Sequence, residues 1–173
     1  FGGDDIFIIA EIGKNFIQTE EDRSVSEYLK NAKELVDEAV RAGCDAVKFQ
    51  TFRAEQVVIE SGEMAEYQKK NIGEVKSQRE MLRDLELNEA FYPEIITRCN
   101  ERGIIFMSTP HGGRASVDFL ESLNVPLYKV GSGDLTNYIL LDRLAVTDKP
   151  IILSTGMAMR DEAKDAVRFL RQR

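Results

Sequence analysis

The segment Ala46-Val47-Lys48-Phe49-Gln50 places two polar side chains within a short apolar run. Because successive side chains of a β-strand point to opposite faces, Val47 and Phe49 are expected on one face and Lys48 and Gln50 on the other. Four further apolar runs have the length of strands: Ile6–Ala10, Ile104–Met107, Leu127–Val130 and Ile151–Leu153. A polar or glycine-rich loop and then helical periodicity follow each run, and this order predicts five βα units.

Two of the predicted helices have recognisable ends. A stripe of apolar residues at helical spacing predicts a first helix near Val25–Ala42, and Gly43 stands where a C-terminal cap belongs. The helix of the third unit is expected to begin near Asn88, a favourable cap residue, and to end before Gly103. A longer polar stretch, Arg53–Lys76, precedes that helix, and we expect it to pass over the site. Short helices are predicted around Met64–Asn71 and Ser77–Leu85.

Apolar strands that alternate with helices imply a parallel sheet covered by helices, either an open doubly wound sheet or a (β/α)8 barrel. An open sheet concentrates its ligand groups at one switch point, whereas a barrel collects them from the carboxyl ends of successive strands. Polar side chains stand at the end of every predicted strand: Glu11, then Lys48 and Gln50, then Ser108 and Thr109, then Lys129 and Ser132, then Ser154 and Thr155. This favours a TIM barrel. Because a full barrel takes about 250 residues, we expect residues 1–173 to form a partial TIM-barrel catalytic domain with about the first five βα units.

Composition excludes some partners. The chain has 23 Lys and Arg against 30 Asp and Glu, a net charge of −7, and the basic residues are interleaved with acids, so nucleic acid is not an expected partner. No apolar run approaches the roughly 20 residues that cross a bilayer, and the first residues lack a basic signal-peptide head, so we expect a cytoplasmic protein without membrane contact. Cys44 and Cys99 show no CxxC spacing and are expected to be reduced thiols.

Two lysines are predicted to enter the same end of the barrel. The alternation that turns Lys48 inward also turns Lys129 inward, together with Leu127. A buried ammonium costs several kcal/mol unless its charge is matched, and Glu11 supplies only one negative charge. A bound anion would supply the rest. The alternative is that the two lysines form internal salt bridges with Glu11 and Asp134.

Two turns after strands are suited to an oxyanion. Gly131-Ser132-Gly133 follows the fourth strand and Ser154-Thr155-Gly156 follows the fifth. In such turns backbone N–H groups and hydroxyls can approach a phosphate or carboxylate closely. Because both turns follow strands that carry a lysine or a hydroxyl on the inner face, a phosphate cradle is the favoured interpretation.

Five segments together resemble the sialic acid synthase family, also called N-acetylneuraminate synthases. They are Ile8-Ile9-Ala10-Glu11-Ile12-Gly13, Ala46-Val47-Lys48-Phe49-Gln50-Thr51, Met107-Ser108-Thr109-Pro110, Tyr128-Lys129-Val130-Gly131-Ser132-Gly133 and Pro150-Ile151-Ile152-Leu153-Ser154-Thr155-Gly156-Met157. The resemblance covers the first five βα units of the family's catalytic barrel. It implies a condensation of phosphoenolpyruvate with an open-chain N-acetylated amino sugar such as N-acetylmannosamine, with release of phosphate and formation of a nine-carbon 2-keto acid.

The resemblance also implies roles for individual residues. Those expected to hold the carboxylate and phosphate of phosphoenolpyruvate are Lys48, Thr109, Lys129, Ser132 and Ser154. The expected catalytic residues are Glu11, Lys48 and Lys129, with Glu11 ordering the attacking water or moving a proton. The expected sugar-binding residues are Gln50, His111 and Asp134. A divalent metal, Mn²⁺ or Mg²⁺, is implied, with its histidine ligands on later strands outside this chain.

Three residues depart from the family pattern. Phe16 stands where a histidine is common, Asp134 where a glutamate is common, and His111 where a phenylalanine is common. These differences indicate a subgroup with a different sugar. The family's small C-terminal antifreeze-like domain, which completes the partner's site in a homodimer, is also expected outside these residues. We therefore expect this polypeptide alone to be inactive.

Two other functions fit the same residues. A Schiff-base aldolase or lyase is also a barrel with strand-end lysines, and it would form its adduct on Lys48 or Lys129. A non-catalytic binding or assembly module would bind phosphoenolpyruvate without turnover.

Overall fold

The computed structural model describes residues 6–17, 24–53 and 89–173. Strands and helices alternate along the chain within these ranges. The strands are β1 (Ile9–Gly13), β2 (Ala46–Thr51), β3 (Ile105–Pro110), β4 (Tyr128–Val130) and β5 (Ile151–Leu153). The helices are α1 (Val25–Arg41), α2 (Tyr92–Arg102), α3 (Arg114–Ser122), α4 (Tyr138–Ala145) and α5 (Arg160–Arg171). The predicted five βα units are thus confirmed.

The order of the strands distinguishes the two parallel architectures. The sheet runs β1-β2-β3-β4-β5, so each strand is hydrogen-bonded to its neighbour in sequence, and every pairing is parallel. A doubly wound sheet reverses its strand order at a switch point, whereas a (β/α)8 barrel adds each strand beside the previous one. The sheet is therefore an arc of a TIM barrel, as the sequence predicts.

The two faces of the sheet carry different apolar layers. The outer layer lies between the sheet and the helices and includes Val47, Phe49, Tyr128 and Val130. The inner layer is small and lies on the opposite face: its buried residues are Ala46, Met107 and Leu127, with Phe7, Ile9 and Ile152 packed against them. The alternation predicted for the second and fourth strands is confirmed, because Val47 and Phe49 belong to one layer and Leu127 to the other.

Three helix and loop ends follow local chemistry. At the start of α1 the Ser24 N–H donates to Glu27 Oε2 at 2.9 Å, which satisfies a backbone donor that has no partner within the helix. Gly43 and Gly103 follow α1 and α2 with φ of 77° and 68°, the left-handed conformation that glycine adopts at low cost.

Cys99 is buried, Cys44 is half-buried, and both are free thiols.

Several boundaries differ from the prediction. The apolar count gives Ile6–Ala10 for the first strand, but β1 begins at Ile9 and ends at Gly13, because its ladder with β2 pairs Glu11 with Lys48. Glu11 therefore lies within its strand, as do Ser108 and Thr109, since β3 extends to Pro110. The third unit's helix begins at Tyr92, after a 3₁₀ turn at Glu89–Phe91. The predicted cap Asn88, the stretch after Arg53 and the short helices at Met64–Asn71 and Ser77–Leu85 lie outside the described residues.

Across residues 6–17, 24–53 and 89–173, none of the helices combines the length and apolarity that crossing a bilayer requires.

Candidate active site

Inward-facing polar side chains meet at the carboxyl end of the sheet. Glu11, Lys48, Thr109 and Lys129 occupy the same alternation as the inner-layer residues of their strands. The register aligns them further, because Glu11 pairs with Lys48 and Gln50 pairs with Thr109 across neighbouring strands. The prediction that Lys48 and Lys129 face inward is therefore confirmed.

Lys48 is the most buried charge at this end of the sheet, with 9% of the residue exposed. Its Nζ forms an ion pair with Glu11 Oε2, and Thr109 Oγ1 lies 3.4 Å from the same Nζ. Glu11 itself is about half exposed. One carboxylate oxygen is held by the lysine, while the side chain stays open to the carboxyl end of the sheet, which we call the mouth. This pair is the first of the two salt bridges in the alternative interpretation.

The contacts of Lys129 differ from those of Lys48. Its Nζ donates to the carbonyl of Val130 at 2.7 Å, and no carboxylate in the described part of the chain forms an ion pair with it. Asp134, its partner in the alternative interpretation, is bonded to His111 instead. Burial lowers the pKa of the Lys129 ammonium, the charge of Lys48 lowers it further, and Glu11 opposes both. The ammonium groups of Lys48 and Lys129 therefore repel each other, and an anion bound between them would stabilise both.

The two glycine–serine turns approach each other. Ser132 lies in a 3₁₀ turn, Ser132–Asp134, directly after β4, and Ser154 directly follows β5. The Ser154 N–H donates to Val130 O at 3.0 Å, so the chain after β5 continues beside the end of β4. Ser132 Oγ lies 3.9 Å from the point that a Cβ on Gly156 would occupy. The two turns therefore lie side by side at the ends of β4 and β5.

His111 and Asp134 form a pair on the β3–β4 side of the mouth. His111 Nδ1 lies 2.5 Å from Asp134 Oδ2, and both side chains are largely buried. The ring packs over Gly131, where a Cβ would come within 3.1 Å of His111 Cε1. The edge-to-face ring of Phe52 lies 6.4 Å from the imidazole, centroid to centroid.

Sequence reasoning missed Phe52 and Lys14, which lie beside the His111–Asp134 pair. Lys14 Nζ lies 3.2 Å from the centroid of the Phe52 ring, a cation–π contact. The available signal was the alternation itself, since Phe52 follows Lys48 and Gln50 at a spacing of two and His111 follows Thr109 in the same way. Phe52 and His111 each lie just past an apolar run, where the predicted strand ends.

The described residues do not by themselves fit a divalent metal. No group of three His, Cys, Asp or Glu side chains comes together in the ranges that the structure covers. The acidic groups at the mouth already have partners, since Glu11 is paired with Lys48 and Asp134 with His111. A metal held here would need ligands from other residues.

Comparison with known proteins identifies the family. A model described as the NeuB family matches residues 35–173. The chain is 44% identical over 161 residues to an N,N'-diacetyllegionaminic acid synthase of Legionella pneumophila, covering 93% of this chain and 42% of that protein. It is 33% identical to an N-acetylneuraminate-9-phosphate synthase of Homo sapiens, covering 95% of this chain and 43% of that protein.

A solved structure agrees. The crystal structure of an N-acetylneuraminic acid synthetase from Leptospira borgpetersenii, in complex with citrate, superposes with a TM-score of 0.77 at 25% identity, covering 98% of this chain and 51% of that one. The chain thus spans no more than about half the length of each of these three proteins. The motifs, the barrel arc and the matched residues agree, and the chain belongs to the NeuB family of sialic-acid-type synthases.

Proposed function

We propose that this chain forms the phosphoenolpyruvate-binding part of a synthase that condenses phosphoenolpyruvate with an N-acetylated amino sugar. The observation that carries the proposal is the pair of inward ammonium groups, of which Lys48 has a carboxylate partner and Lys129 has none in the described residues. Phosphoenolpyruvate carries two to three negative charges and would stabilise both ammonium groups at once. Family membership supports this choice of anion.

The proposed contacts divide the substrate between the strands. Lys48 and Thr109, which are already in contact, face one end of the anion, and Lys129 with Ser132 and Ser154 faces the other. Charge-assisted hydrogen bonds from ammonium groups and hydroxyls are the strong interactions expected for carboxylate and phosphate oxygens. Because these donors are fixed on strands and short turns, they need little rearrangement as negative charge moves onto the departing phosphate.

The proposed reaction joins phosphoenolpyruvate to the open-chain sugar and releases phosphate. C3 of phosphoenolpyruvate forms a bond with the aldehyde carbon of the open-chain sugar, water adds to C2, and the C2–O bond to phosphate breaks. The water oxygen becomes the keto oxygen, while one water proton ends on the former aldehyde oxygen and the other on phosphate. Glu11 is the proposed group that moves a proton from water, because one of its carboxylate oxygens lies outside the ion pair with Lys48.

The acceptor is proposed at the level of its class. The residues proposed to address the sugar are Gln50, His111 and Asp134. A sugar with two acetamido groups is the first to test, because one relative at 44% identity is named an N,N'-diacetyllegionaminic acid synthase. A homodimer in the cytoplasm and a divalent metal held by residues outside this chain remain part of the proposal. The 173-residue polypeptide alone is expected to release no phosphate.

The test uses phosphoenolpyruvate labelled with ¹⁸O at the oxygen that bridges C2 and phosphorus. The full-length protein is incubated with this substrate, Mn²⁺ or Mg²⁺ and either N-acetylmannosamine or a diacetamido sugar. We expect phosphate release that depends on the sugar, with the label in the phosphate because the C–O bond breaks. Label retained in the keto acid, or phosphate release without sugar, would contradict the proposal.

The same samples separate the two competing functions. Borohydride added in the presence of pyruvate should leave the mass of the protein unchanged, because no Schiff base is proposed. A trapped adduct on Lys48 or Lys129 would favour the aldolase. Binding of phosphoenolpyruvate without turnover in the full-length protein would favour a non-catalytic module.

A further inference from the structure

The His111–Asp134 pair carries an inference about how the mouth recognises its second substrate. His111 directly follows β3, and its backbone N–H donates to Thr51 O at 2.9 Å, which keeps the residue beside the end of β2. Asp134 closes the 3₁₀ turn after β4. The pair therefore lies at the same carboxyl end of the sheet as Lys48 and Lys129.

The ring of His111 is held from several sides. Gly131 lies beneath it and Phe52 lies edge-to-face beside it. Its carbonyl accepts a hydrogen bond from Ser116 Oγ at 2.7 Å, which fixes the backbone at the start of α3. Thr109 Cγ2 lies 3.8 Å from the same Cβ position on Gly131, so the imidazole and Thr109, which contacts Lys48, both lie beside Gly131.

The hydrogen-bond roles within the pair follow from the groups involved. An ionised carboxylate only accepts hydrogen bonds, so Nδ1 carries the proton that joins the ring to Asp134. In the neutral ring the other nitrogen, Nε2, is then an acceptor. Among the residues that the structure describes, no donor reaches Nε2.

We propose that His111 Nε2 accepts a hydrogen bond from a hydroxyl or amide N–H of the acceptor sugar, and that Asp134 is a positioning residue that fixes the ring. This inference rests on the proposed function and refines it. The family resemblance implies a direct contact between Asp134 and the sugar, whereas Asp134 Oδ2 is bonded to the imidazole of His111. The mouth would thus select a sugar that presents a hydrogen-bond donor at this point.

Nuclear magnetic resonance tests the positioning role directly, because His111 is the only histidine in the chain. With ¹⁵N-labelled histidine, the two ring nitrogens of the 173-residue chain are assigned at a pH where the ring is neutral. We expect the tautomer with the proton on Nδ1. Asp134→Ala should move the proton to Nε2, whereas Asp118→Ala, which removes a carboxylate on α3 paired with Arg143, should change nothing. An Nε2–H tautomer in the wild-type chain would overturn the inference, even if the Asp134 variant fails to fold.

Kinetics of the full-length protein test the sugar contact. His111→Phe should raise KM for the sugar about tenfold, the loss expected for one hydrogen bond, and leave KM for phosphoenolpyruvate unchanged. His111→Gln should recover part of this loss, because its amide oxygen can accept in place of Nε2. Equal loss in both variants, or a change confined to KM for phosphoenolpyruvate, would overturn the inference.

The two proposals fail in different ways. Absence of sugar-dependent phosphate release from the wild-type protein would overturn the proposed function and this inference together. An Nε2–H tautomer in an active enzyme would overturn this inference alone.

Discussion

Replacing Lys129 with methionine removes an ammonium group that has no carboxylate partner in the described residues, while the similar length of methionine keeps most of the apolar contacts of the side chain. The carbonyl of Val130, which accepts from Lys129 Nζ, also accepts from the Ser154 N–H at 3.0 Å, so it keeps a partner in the variant. The substitution therefore tests the charge with little disturbance of the backbone.

The expected loss is that of one charge-assisted hydrogen bond to phosphoenolpyruvate, about 1.5–3 kcal/mol, or roughly 10- to 150-fold in affinity. Titration calorimetry of the 173-residue chain measures it. Lys30→Met is the matched control: it removes the same charge from the outer side of α1, where the Lys30 side chain is 75% exposed, and it should leave the affinity unchanged.

The stability of the Lys129→Met variant should equal or exceed that of the wild type near neutral pH. The pKa of Lys129 is lowered in the folded chain, so its charged form opposes folding below that pKa. As the pH rises through the folded pKa toward the ordinary value of 10.5, the wild type releases this proton on folding and gains stability relative to the variant. Denaturant unfolding at several pH values should show the variant's advantage shrinking. A variant with unchanged affinity for phosphoenolpyruvate, or with stability lower by more than about 1 kcal/mol, would refute the reasoning.

Three further predictions concern the fold. Phe49→Ala should lower the free energy of unfolding by about 3–5 kcal/mol, because the buried ring stacks on Phe106 at 5.5 Å between centroids; a loss below 1 kcal/mol in denaturant unfolding would contradict this packing. Gly103→Ala should cost about 1 kcal/mol, since φ is 68° and, apart from its neighbours in the chain, no described residue lies within 4 Å of the added Cβ; an unchanged unfolding midpoint would argue against the left-handed cap. Cys44 should react with a thiol reagent before Cys99, because burial raises the pKa of Cys99 to about 12. Mass spectrometry of the partly modified chain measures the order, and modification of Cys99 first would contradict the prediction.

Much of the fold could be predicted because it depends on local patterns. Apolar runs separated by helical periodicity give the βα order, and the spacing of two within a strand turns Lys48 and Lys129 to the inner face. The start of β1 could not be obtained from apolarity, because its position depends on the ladder with β2, which pairs Glu11 with Lys48. Strand ends that carry polar side chains are the places where an apolar count stops too early.

Pairings between loops were less accessible. The sequence left open whether Asp134 neutralises Lys129, and the structure gives that carboxylate to His111, 23 positions away in sequence. Nothing in the spacing of these residues indicates their contact, which arises because the turns after β3 and β4 meet at one end of the sheet. Roles toward substrate stay predictions, since they depend on groups that bind at the mouth.

We propose above all that the ammonium groups of Lys48 and Lys129 bind one anion together. The most direct test is to measure the pKa of the Lys129 ammonium by nuclear magnetic resonance of the labelled side chain. The measurement is made with and without phosphoenolpyruvate, and Lys30 serves as the reference. We predict a pKa below the ordinary lysine value in the free chain that rises when phosphoenolpyruvate binds, because an adjacent anion favours the charged form. A Lys129 pKa that saturating phosphoenolpyruvate leaves unchanged would contradict the account.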